Sequence, residues 1–221
     1  MQPPTVTHEI YDDKYFIRGR EHGLSLYENY RWLPDLTIPM AKRMASHCGF
    51  EKKDKILDFG CARGYLVKAL VENGHDAFGT DVSKWALKNC DSEVRYRVST
   101  VWPVKDPDWI IAKDVLEHIS MNELINVITR MMASAKKGIF IVVPLSDYTD
   151  QPYVVPEYEL DVTHVQRLPL WQWSKLFHLY ADGAEWEVTS TYRIKGIKDN
   201  YAGWKKGNGF ITCRRYLVSP D

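Results

Sequence analysis

The residues that could do chemistry fall into two groups, and the first is Leu57, Asp58, Phe59, Gly60, Cys61, Ala62, Arg63, Gly64 and Tyr65. A short apolar run ends at Gly60 and a helical pattern opens after Gly64, so this turn lies where open α/β sheets bind ligands. Gly60 can take backbone angles closed to other residues, and Gly64 lets a helix begin close to whatever lies over the turn. Such a turn suits a nucleoside-bearing cofactor. Asp81 ends the next apolar run, and an acid at the tip of a second strand can accept both ribose hydroxyls. A nicotinamide dinucleotide would satisfy the same acid. Its fingerprint, G-x-G-x-x-G/A, needs a small third residue where Tyr65 stands, and a ring there obstructs a pyrophosphate. S-adenosylmethionine has no phosphate to cradle, so the turn favours it.

The second group is titratable: Asp114, Glu117, His118 and His164. Methyl transfer from a sulfonium is an in-line displacement, for which a protein must align an acceptor lone pair and exclude water. A base is needed only when the acceptor loses a proton, as a hydroxyl or protonated amine does, and contributes about 10²–10⁴-fold. Asp114 follows an apolar strand, and His118 comes one helical turn later. His164 belongs to a long segment expected to fold over the same sheet edge, which would let the two histidines meet. Tyr11, Tyr15, Tyr27, Tyr30, Arg31 and Trp32 precede the sheet, and Tyr148, Tyr153 and Tyr158 follow its fifth strand. These rings could wall a small-molecule pocket or shield a sulfonium.

Alternating strands and helices must position these groups. Lys55 to Phe59, His75 to Thr80, Val94 to Val98, Trp109 to Lys113 and Gly138 to Val143 read as strands. Tyr65 to Glu72, Ser83 to about Asn89, with Ser83 as cap, and Met121 to Ala135, with capping from Ser120, read as the helices between them. This rhythm requires parallel neighbours joined by helical crossovers. Leu170 to Tyr180 reads as a further helix, and Trp186 to Ile194 and Phe210 to Val218 as a closing antiparallel pair. The fold expected is a Rossmann-like, doubly wound α/β sheet of seven strands, mostly parallel. Residues 1–36 form an aromatic cap, 37–143 the cofactor-binding core, 144–169 a substrate-side loop and 170–221 the closing helix and strands of a single domain.

The bulk properties limit the partners. The 221 residues suffice for one substantial domain, and 29 basic against 29 acidic residues leave no net charge, so no nucleic-acid partner is expected. Lys205, Lys206, Arg214 and Arg215 could contribute to a local basic patch, but an ordinary solvated face is the favoured reading of them. Cys48, Cys61, Cys90 and Cys213 have no close paired spacing and read as reduced thiols. No apolar run approaches the roughly 18 residues of a membrane span, and Met1 to Glu9 lacks an apolar leader core. A cytoplasmic location is the expectation.

Taken in order, these motifs resemble the class I S-adenosylmethionine-dependent methyltransferase family, and its small-molecule enzymes in particular. Asp58 to Gly64 is similar to the family's acidic, glycine-rich first motif, and Asp81 to its ribose acid. Asp108 to Ile119 (DWIIAKDVLEHI) resembles the fourth-strand motif, Asp161 to Val165 (DVTHV) a loop after the fifth strand, and Tyr11 to Phe16 (YDDKYF) the N-terminal cap. The resemblance implies that Asp58, Gly60, Cys61, Ala62, Gly64, Asp81, Val82, Thr100, Lys113 and Tyr15 bind S-adenosylmethionine. It implies that His118, His164 and Asp114 serve catalysis on a small-molecule acceptor through oxygen or nitrogen, without a metal. The sequence departs from the pattern at Ala62, where the family usually has glycine, and after the third strand, where Val98, Ser99, Thr100 and Val101 replace an acid. Three alternatives stay open: a nicotinamide-dependent oxidoreductase, a non-catalytic cofactor-binding regulator, and a metal-assisted RNA 3'-terminal ribose methyltransferase. The last resembles this chain in the set Asp114, Glu117, His118 and His164, but has a glutamate in place of Asp114 and more histidine in its loop.

Overall fold

Seven strands form one sheet in the order β3-β2-β1-β4-β5-β7-β6. The structure is a computed structural model that describes residues 8–181 and 185–216. The parallel strands are β1 (Lys55–Phe59), β2 (Asp76–Thr80), β3 (Val98–Ser99), β4 (Trp109–Lys113) and β5 (Gly138–Pro144), and β7 (Asn208–Arg215) runs antiparallel between β5 and β6 (Trp186–Thr191). The expected mixed sheet is therefore present.

Helices cover both faces because neighbouring residues of the central strands point in opposite directions and both sets are apolar. Leu57, Ile110, Ala112, Ile139 and Ile141 pack with α5 (Met121–Ser134) and α6 (Leu170–Tyr180). Ile56, Ile111, Phe140 and Val142 pack with α2 (Pro34–Cys48) and α3 (Tyr65–Glu72). Chain order reverses between β1 and β4, and register aligns Phe59 with both Thr80 and Ala112. The carboxyl ends of β1, β2 and β4 thus share one edge, at the switch point where such sheets bind ligands.

Several boundaries differ from the sequence reading. Residues 94–97 of the expected third strand lie in a 3₁₀ turn, Ser92–Arg97, leaving only Val98–Ser99 paired. Asp91 starts that turn by accepting from the Glu93 amide, and Lys68 holds Asp91 and Glu93 at 3.0 and 3.2 Å. The expected cap, 1–36, holds a helix of its own, α1 (Asp13–Arg18), started by Asp12, and α2 begins within its last residues at Pro34, whose fixed φ suits a first helical turn. Ser83 caps α4 (Lys84–Lys88) by accepting from the Ala86 amide. Ser120 precedes α5 without that bond, its hydroxyl going to Glu123. β6 ends at Thr191 rather than Ile194, and β7 begins two residues early; Leu217 and Val218 lie outside the described residues. All four cysteines are free and buried. Among the described residues, no helix is long and apolar enough to cross a membrane.

Candidate active site

The cofactor side is shaped by main chain. Gly60 has φ 78°, and a Cβ there would lie 2.4 Å from Val115 Cγ2. Gly60 and Cys61 donate their amides to the Thr80 carbonyl at 2.8 and 3.0 Å, which ties the turn to the end of β2. Ala62 takes the left-handed conformation with φ 48°, so the turn keeps a glycine-like shape despite its Cβ. Gly64, φ 75°, precedes the first residue of α3.

Asp81 binds this turn directly, its Oδ2 accepting from the Ala62 amide at 2.7 Å and its Oδ1 from the Ser83 amide at 2.8 Å. Burial raises its pKa while those two amides oppose the shift. Asp58 is buried behind it, and burial pushes its carboxyl up to about 7, opposed by the Lys113 charge and assisted by Asp81. Val82, next to Asp81 in the chain, is exposed, and so are Thr100 and Val101 just past β3. Cys61 turns its side chain into the core against Gly79, so only its backbone faces the turn.

The aromatic cap closes over this edge. Arg63 donates to the Tyr30 carbonyl at 2.8 Å, Tyr30 packs on Tyr65 with centroids 5.2 Å apart, and Ser83 donates to the Tyr11 carbonyl. Tyr30 is partly buried, and burial together with the charges of Asp58 and Asp81 raises its phenol, so this cap ring lies close to the cofactor turn. Tyr15, the cap residue expected there, commits its hydroxyl elsewhere, donating to Asp161 Oδ2 at 2.6 Å.

The acceptor side is made of side chains from remote segments. Val165 and Gln166 donate their amides to the Glu117 carbonyl at 2.9 and 3.0 Å, which folds the late loop onto the 3₁₀ turn Leu116–His118. The rings of His118 and His164 meet at 4.6 Å, as their sequence positions suggested. Thr163 Oγ1 donates to Asp161 Oδ1 at 2.6 Å and therefore accepts from His118 Nδ1 at 2.7 Å. His164 Nδ1 can only donate to the Tyr158 carbonyl, 2.8 Å away. Both Nε2 lone pairs are left facing Glu117 Oε1, at 4.0 and 3.9 Å. Glu117 is 1% exposed and its Oε2 has no hydrogen-bond partner. Burial holds the imidazole of His118 down, to about 4, and lowers that of His164.

Asp114 behaves differently from the histidines grouped with it. Its oxygens bind Lys113 at 2.5 Å and Lys198 at 2.8 Å, and the two ammonium charges hold its carboxyl well below the usual range. An anion so fixed does not take up a proton near neutrality, so the geometry offers Asp114 a positioning part and not that of a base. Sequence reading missed Lys198, which reaches in from the connection between β6 and β7 and lies against the rings of Tyr158 and Tyr201. It also missed Asp161 and Thr163 as the groups that orient His118. A polar run DVTH in a loop was their only signal.

Comparison with known proteins decides the family. Residues 31–187, more than half of the chain, match the family described as "Methyltransferase domain". The chain belongs to that family. No curated protein matches it. Among solved structures it is similar to a SAM dependent methyltransferase from Archaeoglobus fulgidus, with TM-score 0.61 and 16% identity over 82% of this chain and 94% of that one. It is similar to a structure described as a complex between the Haloferax volcanii Trm112 methyltransferase activator and the putative methyltransferase, with TM-score 0.62 and 13% identity over 98% and 100%. A third likeness is to the plantazolicin methyltransferase BpumL, in complex with a monoazolic desmethylPZN analog and SAH, with TM-score 0.63 and 13% identity over 94% and 95%. At such identities these structures share the fold. This methyltransferase therefore carries the class I architecture, for which S-adenosylmethionine is the general donor.

Proposed function

We propose that the protein transfers the methyl group of S-adenosylmethionine to a hydroxyl or amine of a small-molecule acceptor. Gly60, Cys61, Ala62 and Gly64 shape the cofactor's seat, Asp58 and Lys113 lie behind it, and Asp81 accepts from the ribose hydroxyls. Val82 and Thr100, with Val101, flank the adenine, and Tyr30 takes the cap position otherwise given to Tyr15. The observation that carries the catalytic reading is the meeting of two neutral histidines at the same edge, His164 buried and His118 partly so, each with a free Nε2. His118 takes the acceptor's proton, His164 and Glu117 complete its pocket, and Asp161 with Thr163 holds the tautomer. As the acceptor's lone pair forms its bond to the methyl carbon, the carbon–sulfur bond breaks and its electron pair stays on sulfur, giving S-adenosylhomocysteine.

The test is to expose fractionated metabolites to labelled S-adenosylmethionine and then replace His118 and His164 separately by alanine. Labelled product from the parent chain, lost in both variants, is expected. Unchanged rates in both would remove the histidines from catalysis.

One observation favours a second reading. One ligand atom from each of Glu117, His118 and His164 lies within 4.8 Å of the others, and burial raises the Glu117 carboxyl well above its usual range, so a cation binding there would displace its proton. Two imidazoles and a carboxylate suit Mn²⁺ or Fe²⁺, and the bonds to Thr163 and Tyr158 are of the kind that orient metal-binding histidines. On this reading the cluster activates the acceptor through a divalent cation. Titration of the chain with Mn²⁺, followed by electron paramagnetic resonance, separates the two readings: one site lost in His164→Gln supports the cation, and absence of binding rejects it.

A further inference from the structure

The connection between β6 and β7 concentrates charge that the chain as a whole lacks. Residues 192–206 include Arg193, Lys195, Lys198, Lys205 and Lys206 against a single acid, Asp199. That acid is turned to its own backbone, accepting from the Gly196 amide at 2.9 Å. The connection does not extend as a loose loop: Ile194 and Ile197 are buried, and they form an isolated bridge against the face that holds α2. A shallow, solvent-open crevice with only about 20 Å³ of cavity volume opens in it. Arg193, Lys198 and Lys205 line its wall together with Asp199, Tyr192, Tyr201 and Trp204, so three cations there face one acid. Tyr192 and Trp204 are close to half exposed, and Lys206 stands over the Tyr192 ring.

The crevice adjoins the catalytic cluster. Lys198, in its wall, binds Asp114, and Asn208, also in its lining, accepts from the Tyr158 hydroxyl at 2.7 Å. Tyr158 in turn gives its carbonyl to His164. One side chain thus separates a basic, ring-lined groove from the imidazoles that face the acceptor. Cations gathered on one wall attract anions before and during binding, charge-assisted bonds to a phosphate are stronger than neutral ones, and exposed rings give a planar ligand a surface to lie on.

We propose that this crevice binds a phosphate group carried by the acceptor, so that the methylated atom is presented to His118 and His164 while the anion is held by Arg193 and Lys205, with Lys198 fixed behind them on Asp114. The inference rests on the assignment of that cluster as the acceptor site, and it names the acceptor as a phosphorylated small molecule.

The experiment follows the tryptophan fluorescence of the full chain during titration with inorganic pyrophosphate at low salt. Saturable quenching is expected, absent in Trp204→Phe and weakened at least about tenfold in the exposed double variant Arg193→Gln, Lys205→Gln. S-adenosylhomocysteine binding, measured on the same variants by calorimetry, stays at the parent value and shows that they fold. Quenching that fails to saturate, or is unchanged in the double variant, overturns the proposal. Binding of a single-stranded oligonucleotide about a hundredfold tighter than pyrophosphate overturns it too, in favour of a nucleic-acid acceptor. Because the fluorescence reads the crevice and calorimetry reads the cofactor turn, failure of one is distinguishable from failure of the other.

Discussion

Between Gly60 and Ser83 the cofactor side of the site is built from main chain, whereas on the acceptor side Tyr15, His118, Asp161, Thr163 and His164 meet through side chains drawn from three separate segments. The first region depends on backbone angles and amide bonds within 24 residues, as in the two amides held by Asp81. The second depends on contacts spanning up to 146 positions, as in the Tyr15–Asp161 bond. A turn made of backbone tolerates change in its side chains, and Ala62 for glycine is an example. A cluster made of side chains changes with each residue, which suits the part of the molecule that must differ with the acceptor.

If the regions are separable, the largest effect comes from the side-chain region. His118→Ala and His164→Ala each lower turnover by about 10²–10⁴-fold while S-adenosylhomocysteine affinity shifts by less than about threefold. Parallel loss of affinity would show that the regions are one unit.

Asp81→Ala does the reverse. Removing a carboxylate that holds two amides, and that the proposed function places on the ribose, weakens S-adenosylhomocysteine binding by on the order of a hundredfold in calorimetry. An affinity close to the parent's would place the ribose elsewhere.

Asp58 gives the cofactor side a pH signature. Its folded pKa, about 7, is raised from 3.8, so the folded chain keeps a proton that the unfolded chain releases. The stability so contributed is complete below about pH 4 and is lost as pH rises through about 7. Asp58→Asn removes that loss, and urea unfolding at pH 8 shows the cofactor-free variant more stable by up to about 3 kcal/mol, with little gain at pH 4. An equal gain at both pH values would contradict the assignment.

Two smaller effects sharpen the contrast. Tyr15→Phe removes a buried bond to a carboxylate and costs about 1–3 kcal/mol, seen as a lower Tm with cofactor affinity retained. Ala62→Gly relieves a left-handed alanine and raises stability by no more than about 1 kcal/mol. A clear drop in Tm there would mean that the methyl group packs usefully.

The same contrast explains what could be read from the sequence. β1, β4, α3 and α6 have the bounds that periodicity predicts, and the glycine turn with Asp81 was legible because local spacing encodes it. β3 was misplaced because Val94 packs under Gly64 from a 3₁₀ turn, where period-two patterning does not apply. The meeting of His118 and His164 followed from topology alone. The roles of Lys198, Asp161 and Tyr15 did not, since each is set by a partner at least 84 positions away or by a loop conformation without periodicity.

Calorimetric titration with S-adenosylhomocysteine, set against NAD, tests the central claim most directly. Saturable one-to-one binding of S-adenosylhomocysteine, lost in Asp81→Ala and unmatched by NAD, is the result expected from the turn at Leu57 to Tyr65. Absence of that binding, or an equal response to NAD, would contradict it.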